Sequence, residues 1–323
     1  MRSTASRLTV RHAFRRSSTL AGIIVLLAAA APAVRATASI AAAGDLLVGN
    51  ASQNSVSRYD GATGAPLGDF VTTGSGGLNQ PRGMAFGPDG NLYVASRNSS
   101  SVLRYDGATG AFIDAFVPAG SGGLSTAIGL TFGPDGNLYV ASRANNSVKR
   151  YDGTSGAFID AFVPSGSGGL FDPRDPEFGP DGDLYVSSAG NNSVRQYDGA
   201  TGTFVRVFAA SESQGLNGCP SCLWQPIGID WGPDGNLYVS SWSNNRVQRY
   251  DGQSGSFIDT FAHGDRLVGA IDAEFGPDGA LYASSNGNGR VLRFDGSTGA
   301  FIDTFVTNKS GDLQYGTWLL FVP

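Results

Sequence analysis

Acidic residues recur at matching places in three similar segments of the chain. Each segment ends in an aromatic residue followed by Gly-Pro-Asp-Gly, and its carboxylates are Asp175 and Glu177, then Asp230, then Asp272 and Glu274. Carboxylates that meet can bind a hard cation such as Ca²⁺, or can act as general acid and base. Without a partner they would repel one another and tend to keep protons. Three interpretations stay open: solvated acids, a Ca²⁺ site, or catalysis by a carboxylate beside a metal.

Basic and aromatic residues mark a second candidate site. Arg97, Arg143 and Trp242 occupy the same place in different copies of a recurring polar loop, and Arg174 directly precedes Asp175. Arginine matches oxyanions with its planar fork, and tryptophan offers a flat surface for stacking. The alternatives are simple charge balance in a solvated surface, or a pocket for a zwitterionic or polar ligand.

The two cysteines of the chain, Cys219 and Cys222, form a C-x-x-C within a seven-residue insertion at 218–224. No histidine follows as a haem attachment requires, and no second pair exists to complete a zinc site. In an exported protein this pattern indicates a local disulfide. We expect it to stiffen the loop and to hold Trp224 on a ligand-facing surface.

The elements that must position these residues follow from an internal repeat. Gly-Pro-Asp-Gly begins at Gly87, Gly133, Gly179, Gly232 and Gly276, with steps of 44 to 53 residues. One unit predicts four strands, at 81–86, 91–96, 101–105 and 111–117, joined by turns rich in Gly, Asp and Pro. A four-stranded unit with this period is typical of a β-propeller blade.

The ends of the chain indicate how the ring closes. The repeat begins at a second strand, Leu46–Val48, and residues 318–323 resemble a first strand with nothing after it. We therefore predict an all-β, six-bladed β-propeller over 39–323, in which the C-terminal strand completes the N-terminal blade. The predicted blades are 315–323 with 45–71, 78–117, 124–163, 170–209, 225–262 and 267–306. Loops after the second and fourth strands should share one face, here called the loop face.

The repeated segments Pro-x-Gly, Gly-Pro-Asp-Gly-Asn-Leu-Tyr-Val-Ala-Ser and Asn-Asn-Ser-Val-x-Arg-Tyr-Asp-Gly resemble NHL repeats. They also resemble the related propellers of streptogramin lyases and gluconolactonases, over about residues 45–323. The resemblance implies that the first strand of each blade lines the central channel, and it allows binders, lyases and lactonases alike. The chain departs from the enzymes. The lyases need histidine, but beyond residue 38 the chain has one histidine, His263. Gluconolactonases place a metal ligand between the Pro and the Gly of the first strand, and here that position holds Arg82, Ile128, Arg174, Ile227, Ile271 and Thr317.

Residues 1–38 are predicted to be a signal peptide, with a basic start, an apolar run at 20–31 and a small-residue cleavage site at Ala36-Thr37-Ala38. Arg15-Arg16 hints at the twin-arginine route to the periplasm or medium. Removing this leader takes away six arginines and leaves 16 basic against 27 acidic residues, so the net charge changes from −5 to −11. Such a charge argues against nucleic acid and anionic lipid as partners.

Together these features predict an exported, non-catalytic NHL-type binding or interaction module that uses its loop face and channel mouth. The expected partner is a protein, a glycan or a polar small molecule, with no membrane contact after signal cleavage and with a monomeric ring. Two alternatives stay open. One is a metal-assisted lyase or lactonase of the Ca²⁺ type that uses the acids of the three segments described first, which would line the channel. The other is a structural extracellular component.

Overall fold

Six antiparallel sheets of four strands each make up the fold in a computed structural model that describes residues 41–210, 219 and 221–323. The predicted signal peptide lies outside these residues. Blade 1 consists of β1 (Leu46–Asn50), β2 (Ser55–Tyr59), β3 (Pro66–Val71) and the last strand, β24 (Gly316–Phe321). Blade 2 consists of β4 (Pro81–Phe86), β5 (Leu92–Ser96), β6 (Ser101–Tyr105) and β7 (Phe112–Val117).

The remaining blades repeat the same order. Blade 3 consists of β8 (Ala127–Phe132), β9 (Leu138–Ser142), β10 (Ser147–Tyr151) and β11 (Phe158–Val163). Blade 4 consists of β12 (Pro173–Phe178), β13 (Leu184–Ser188), β14 (Ser193–Tyr197) and β15 (Phe204–Ala210). Blade 5 consists of β16 (Pro226–Trp231), β17 (Leu237–Ser241), β18 (Arg246–Tyr250) and β19 (Phe257–Ala262). Blade 6 consists of β20 (Ala270–Phe275), β21 (Leu281–Ser285), β22 (Arg290–Phe294) and β23 (Phe301–Val306).

Short 3₁₀ helices connect several of these strands. They are Ser75–Gly77, Ser121–Gly123, Arg143–Asn145, Ser167–Gly169, Ala189–Asn191, Trp242–Asn244, Asn286–Asn288 and Ser310–Asp312. Within the described residues no helix has the length and apolar character needed to cross a membrane.

The ring closes as the sequence predicts. Strand β24 pairs with β1, so the residues of β24 complete the blade that β1, β2 and β3 begin. The first strands of neighbouring blades contact one another around the axis, including β24 with β4 and β20 with β24. Each blade stays a separate four-stranded sheet, with its first strand as the inner edge at the axis and its fourth strand as the outer edge. The predicted strands of blade 2 match the structure to within one residue, since β5 starts at Leu92 and β7 at Phe112.

Aromatic side chains hold the blades together. Tyr93 of β5 packs edge-to-face against Phe116 of its own blade and Phe132 of blade 3, with ring centroids 4.8 and 4.9 Å apart. The same arrangement recurs around Tyr139, Tyr185, Tyr238 and Tyr282. Each such pair contributes about 1 kcal/mol beyond its buried area.

A second link joins blades through tyrosine hydroxyls. Tyr105 donates a hydrogen bond of 2.9 Å to the carbonyl of Ser75, in the loop that follows the fourth strand of the preceding blade. Tyr59, Tyr151 and Tyr197 make equivalent bonds to Ser310, Ser121 and Ser167. These bonds fix the loops from which the loop face is built.

Candidate functional site

The loop face forms because second and fourth strands end on the side where first strands begin. The amide of Arg97, just after β5, donates to the carbonyl of Gln80, just before β4, at 3.2 Å. Arg143, Trp242 and Asn286 make the same bond to Thr126, Gln225 and Gly269. The loop after β7 joins this side too, because the amide of Gly120 donates to Ser100. Candidate residues from the ends of second strands therefore share one face.

Asp172 brings two of the predicted arginines together. Its carboxylate accepts a hydrogen bond from Nε of Arg143 and another, at 2.7 Å, from Nη2 of Arg174. Asp172 has a left-handed φ of 55°, and its amide donates to the side chain of Asn146 at 2.9 Å. The two guanidinium groups hold the pKa of Asp172 below its usual value against the opposing effect of burial. Blades 3 and 4 thus meet through one half-buried carboxylate between two cations.

Two further arginines lie beside this group. Arg97 donates to Oε1 of Gln80 at 2.7 Å, and Arg82 donates to the carbonyl of Pro81 at 3.2 Å. Among the described residues no carboxylate lies within ion-pairing distance of either. Burial, and then the positive charges of Arg97, Arg174 and Arg143, lower the pKa of Arg82 to about 10. We call these four residues, Arg82, Arg97, Arg143 and Arg174, the arginine mouth.

A cavity of about 310 Å³ adjoins the arginine mouth between blades 3 and 4. It is lined by Thr126, Arg143, Ala144, Asn146, Phe171 and Asp172. The Phe171 ring is 54% exposed, so the cavity combines cationic, amide and aromatic surface. Such a combination can hold a ligand that carries both charge and an apolar part.

The two predicted tryptophans lie together on blade 5, away from that cavity. The amide of Ser243, next to Trp242, donates to the carbonyl of Trp224 at 3.2 Å. Trp242 is 41% exposed, whereas Trp224 is half-buried. Cys219 and Cys222 are paired as a disulfide, and the carbonyl of Cys222 accepts a bond from Gln248 at 2.7 Å. The loop that carries Trp224 is thereby anchored to its own blade.

The five predicted acids lie on the first strands of blades 4, 5 and 6, and we call them the channel carboxylates. Asp175 accepts a bond of 3.1 Å from the amide of Ile229, and Asp272 accepts one of 2.9 Å from Leu319. Asp230 accepts one of 3.3 Å from Phe275. In each case the acid and the amide belong to first strands of neighbouring blades. These carboxylates therefore connect the inner strands to each other.

Two glycines make room for these connections. A Cβ atom added to Gly129 would lie 2.4 Å from Oδ1 of Asp175, and one added to Gly228 would lie 2.2 Å from Oδ1 of Asp272. A non-bonded contact that short does not occur between real atoms. The Cβ atom at Gly129 would also lie 2.5 Å from the carbonyl oxygen of Arg174, so the close backbone of the next blade requires glycine there as well as the acid does.

Burial raises the pKa of every channel carboxylate. It raises the pKa of Asp230 to about 6 and that of Asp272 to about 7. Burial, with the added charge of Asp230, raises the pKa of Glu177 to about 8. Asp175 and Glu274 move in the same direction, well above their usual values. At neutral pH several of these groups hold protons, which relieves the repulsion that the sequence predicts.

The acids line a cavity of about 370 Å³ in the channel, together with Thr131, Trp318 and apolar side chains. The indole N–H of Trp318 interacts with the Asp175 carboxyl but makes no hydrogen bond of good geometry. Within the described residues no group of three or more His, Cys, Asp or Glu side chains is arranged to hold a metal ion. Three of the acids instead direct an oxygen at a backbone amide. The described channel residues therefore do not fit a Ca²⁺ site.

Charge in the channel is separated along the axis. Arg82 and Arg174 are the second residues of their strands, whereas the cavity lining begins at the third position and extends to the strand ends. Because Arg97 and Arg143 belong to blades 2 and 3 and the acids to blades 4 to 6, the sequence alone predicts a mouth that is basic on one side and acidic on the other. The structure differs because the acids occupy the third and fifth positions of their strands, farther along the channel than Arg82 and Arg174.

Sequence reasoning missed Arg82, Phe171 and Asp172 as site residues. All three lie at the start of a first strand or just before it, where copies can be compared. Before the first strand the copies read Asn-Gln, Ser-Thr, Phe-Asp and Trp-Gln in blades 2 to 5. Only one copy has an acid there, and that difference would have indicated the partner of Arg143.

Comparison with known proteins identifies the class of fold. The chain resembles nidogen in a nidogen/laminin complex, with a TM-score of 0.66, 15% identity, and coverage of 85% of this chain and 97% of that one. It also resembles virginiamycin B lyase from Staphylococcus aureus, with a TM-score of 0.60, 15% identity and 84% of each chain covered. A gluconolactonase from Xanthomonas campestris matches with a TM-score of 0.54, 18% identity, and 70% and 76% covered.

These likenesses show a shared fold. The protein is a six-bladed β-propeller, related in architecture to propellers that bind proteins and to propellers of lyases and lactonases. No family model matches the sequence. No curated protein matches it either.

Proposed function

We propose that the protein is an exported binding module that holds a protein partner on its loop face. The observation that carries the proposal is an arc of exposed apolar side chains on that face, beside the arginine mouth. This apolar arc consists of Phe171, Trp242, Val268 and Tyr315, which are 54%, 41%, 36% and 52% exposed. Aromatic residues and arginine are the side chains that dominate protein interfaces.

The arc differs from the other exposed apolar surface of the ring. Ile113, Ile159, Ile258 and Ile302 are exposed on outermost strands, but they occupy the same place in every one of their blades. They belong to the repeat itself. The residues of the apolar arc are confined to particular copies, as expected of a surface that serves recognition. The nidogen propeller, which has this fold, was solved in complex with laminin.

Affinity capture tests the proposal. Purified protein is immobilised and exposed to the extracellular fraction of its source, bound proteins are identified by mass spectrometry, and the affinity for the purified partner is measured. The triple variant Phe171→Ala, Trp242→Ala and Tyr315→Ala should bind at least about tenfold more weakly, because central aromatic contacts each contribute 2 kcal/mol or more. The matched control Ile113→Ala, Ile159→Ala and Ile302→Ala should bind as the unmodified protein does.

Equal binding by both triple variants would overturn the loop face as the interface. If free sugars release the bound partner, or if a glycan binds and no protein is captured, the partner is a glycan and not a protein. The proposed export has its own test. The secreted protein should begin at Ser39, and recovery of uncleaved protein from the cell membrane would contradict it.

The acidic side chains of the channel do not support a metal-assisted lyase or lactonase. Its catalytic carboxylates would be Asp175, Glu177, Asp230, Asp272 and Glu274, and the described residues do not arrange three or more of them to hold a metal. The binding module is therefore the function that the geometry supports best.

A further inference from the structure

The arginine mouth concentrates positive charge that the fold itself does not require. The place of Arg82 and Arg174 in their strands is taken by Ile128, Ile227 and Ile271 in three other blades, and these strands form equally well. The place of Arg97 and Arg143 is taken by alanine, tryptophan or asparagine elsewhere. Burying like charges side by side costs stability. Their presence in three neighbouring blades therefore points to a ligand.

One carboxylate does not neutralise four cations. Asp172 pairs with Arg143 and Arg174, while Arg82 and Arg97 have only carbonyl and amide oxygens as partners among the described residues. The group retains about three positive charges. These face the entrance to the channel, because all four side chains lie at the start of a first strand or the end of a second strand.

We propose that the arginine mouth binds a small oxyanion with two or more negative charges, either a polycarboxylate or a phosphorylated compound. This inference rests on the proposed binding role of the loop face and gives that face a ligand class. Guanidinium groups match such anions because their donors form parallel hydrogen bonds to paired oxygens. Arg82 and Arg97 supply the unneutralised charge, while Asp172 holds Arg143 and Arg174 in fixed orientations.

The cavity beside Arg143 accommodates the rest of the ligand. Its volume of about 310 Å³ suits a small molecule, and Phe171 offers an apolar surface next to the charge. The amide side chain of Asn146 and the hydroxyl of Thr126 complete the polar lining. A ligand with an anionic group and a short carbon skeleton is therefore favoured over a bare inorganic ion.

Titration calorimetry and thermal unfolding at low ionic strength test the inference, with citrate as the polycarboxylate probe and pyrophosphate as the phosphate probe. At least one of them should raise the melting temperature, since a ligand that binds only the folded state stabilises it. Arg82→Gln and Arg97→Gln should each weaken binding at least about tenfold, as expected for loss of a charge-assisted hydrogen bond. Arg82→Lys keeps the charge and should lose less.

Arg266→Gln is the matched control, because Arg266 is an exposed arginine outside the mouth that lies over the Phe301 ring. It should leave anion affinity unchanged. Without anion, Arg82→Gln should raise the melting temperature because it relieves repulsion, which a purely structural arginine would not do. Binding of citrate alone assigns a carboxylate ligand, and binding of pyrophosphate alone assigns a phosphate ligand. Failure of both, or equal loss in the Arg266→Gln control, overturns the inference.

The same variants separate this inference from the proposed function. If partner binding depends on the apolar arc but no anion binds at Arg82 and Arg97, the proposed binding module is supported and the anion site is refuted. If the anion binds but no macromolecular partner is found, the anion site is supported and the proposed function is refuted.

Discussion

The buried channel acids make a quantitative prediction about pH, and Asp230 tests it most clearly. Burial raises its pKa from 3.8 to about 6, and the amides of Phe275 and Trp231 oppose that effect. Asp230→Asn removes the ionisation but keeps an oxygen that can accept the bond from Phe275, which is 3.3 Å long. The variant therefore isolates the cost of the charge.

The sign follows from proton binding. Between pH 4 and pH 6 the folded protein keeps a proton on Asp230 that the unfolded chain has already released. The stability linked to this group is fully present below about pH 4 and is lost as the pH rises through about 6. Raising the pKa of Asp230 from 3.8 to about 6 corresponds to at most about 3 kcal/mol of stability.

Urea unfolding of both proteins at pH 4 and pH 8 measures this cost. Asp230→Asn and the unmodified protein should have similar free energies of unfolding at pH 4, and the variant should be more stable at pH 8 by about 2 kcal/mol. Asp60→Asn is the control of opposite sign, because hydrogen bonds from Thr63 lower the pKa of Asp60 in an exposed turn. That variant should lose stability at pH 8. A difference between Asp230→Asn and the unmodified protein that does not change with pH would refute the assignment of a buried, proton-holding carboxylate.

Three further predictions concern the ring. Gly129→Ala should cost about 3 kcal/mol in free energy of unfolding because the added methyl overlaps both the Asp175 side chain and the Arg174 carbonyl, and denaturant unfolding in an Asp175→Gly background should recover only part of that cost. Tyr105→Phe should cost about 1 kcal/mol because it removes the bond to Ser75 in the neighbouring blade, and an unchanged unfolding midpoint would contradict that link. Chelation of divalent metal with EDTA should leave the melting temperature unchanged, because channel acids bond to backbone amides, and a large decrease would restore the Ca²⁺ site.

The fold could be predicted because the same pattern of strands and turns recurs along the chain. Each copy shows strand, Gly-Pro-Asp-Gly turn and strand, and the register of Phe321 with the earlier first strands indicates the closure. The positions of individual strands follow from the turns. In the Gly87–Gly90 turn the amide of Gly90, with φ of 76°, donates to the carbonyl of Gly87 at 2.9 Å. Local chemistry of this kind is readable from sequence.

The site was less accessible to sequence reasoning because it depends on contacts between blades. The sequence marks Arg97, Arg143 and Arg174, but not that Asp172 joins two of them or that Arg82 shares their surroundings. It marks the channel acids, but not that Asp175 and Asp272 accept amides from the next blade. Such pairings are set by the radius of the ring and by the small residues opposite, which a single copy does not contain.

Hydrogen exchange of the protein with and without its captured partner tests the central claim most directly, namely that the loop face is the recognition surface. Binding should slow exchange at the loop-face segments around Arg97, Arg143, Phe171, Trp242 and Val268. The Gly-Pro-Asp-Gly turns on the opposite side, such as Gly87–Gly90 and Gly133–Gly136, should exchange as before. Protection confined to those turns, or to the outermost strands, would contradict the account.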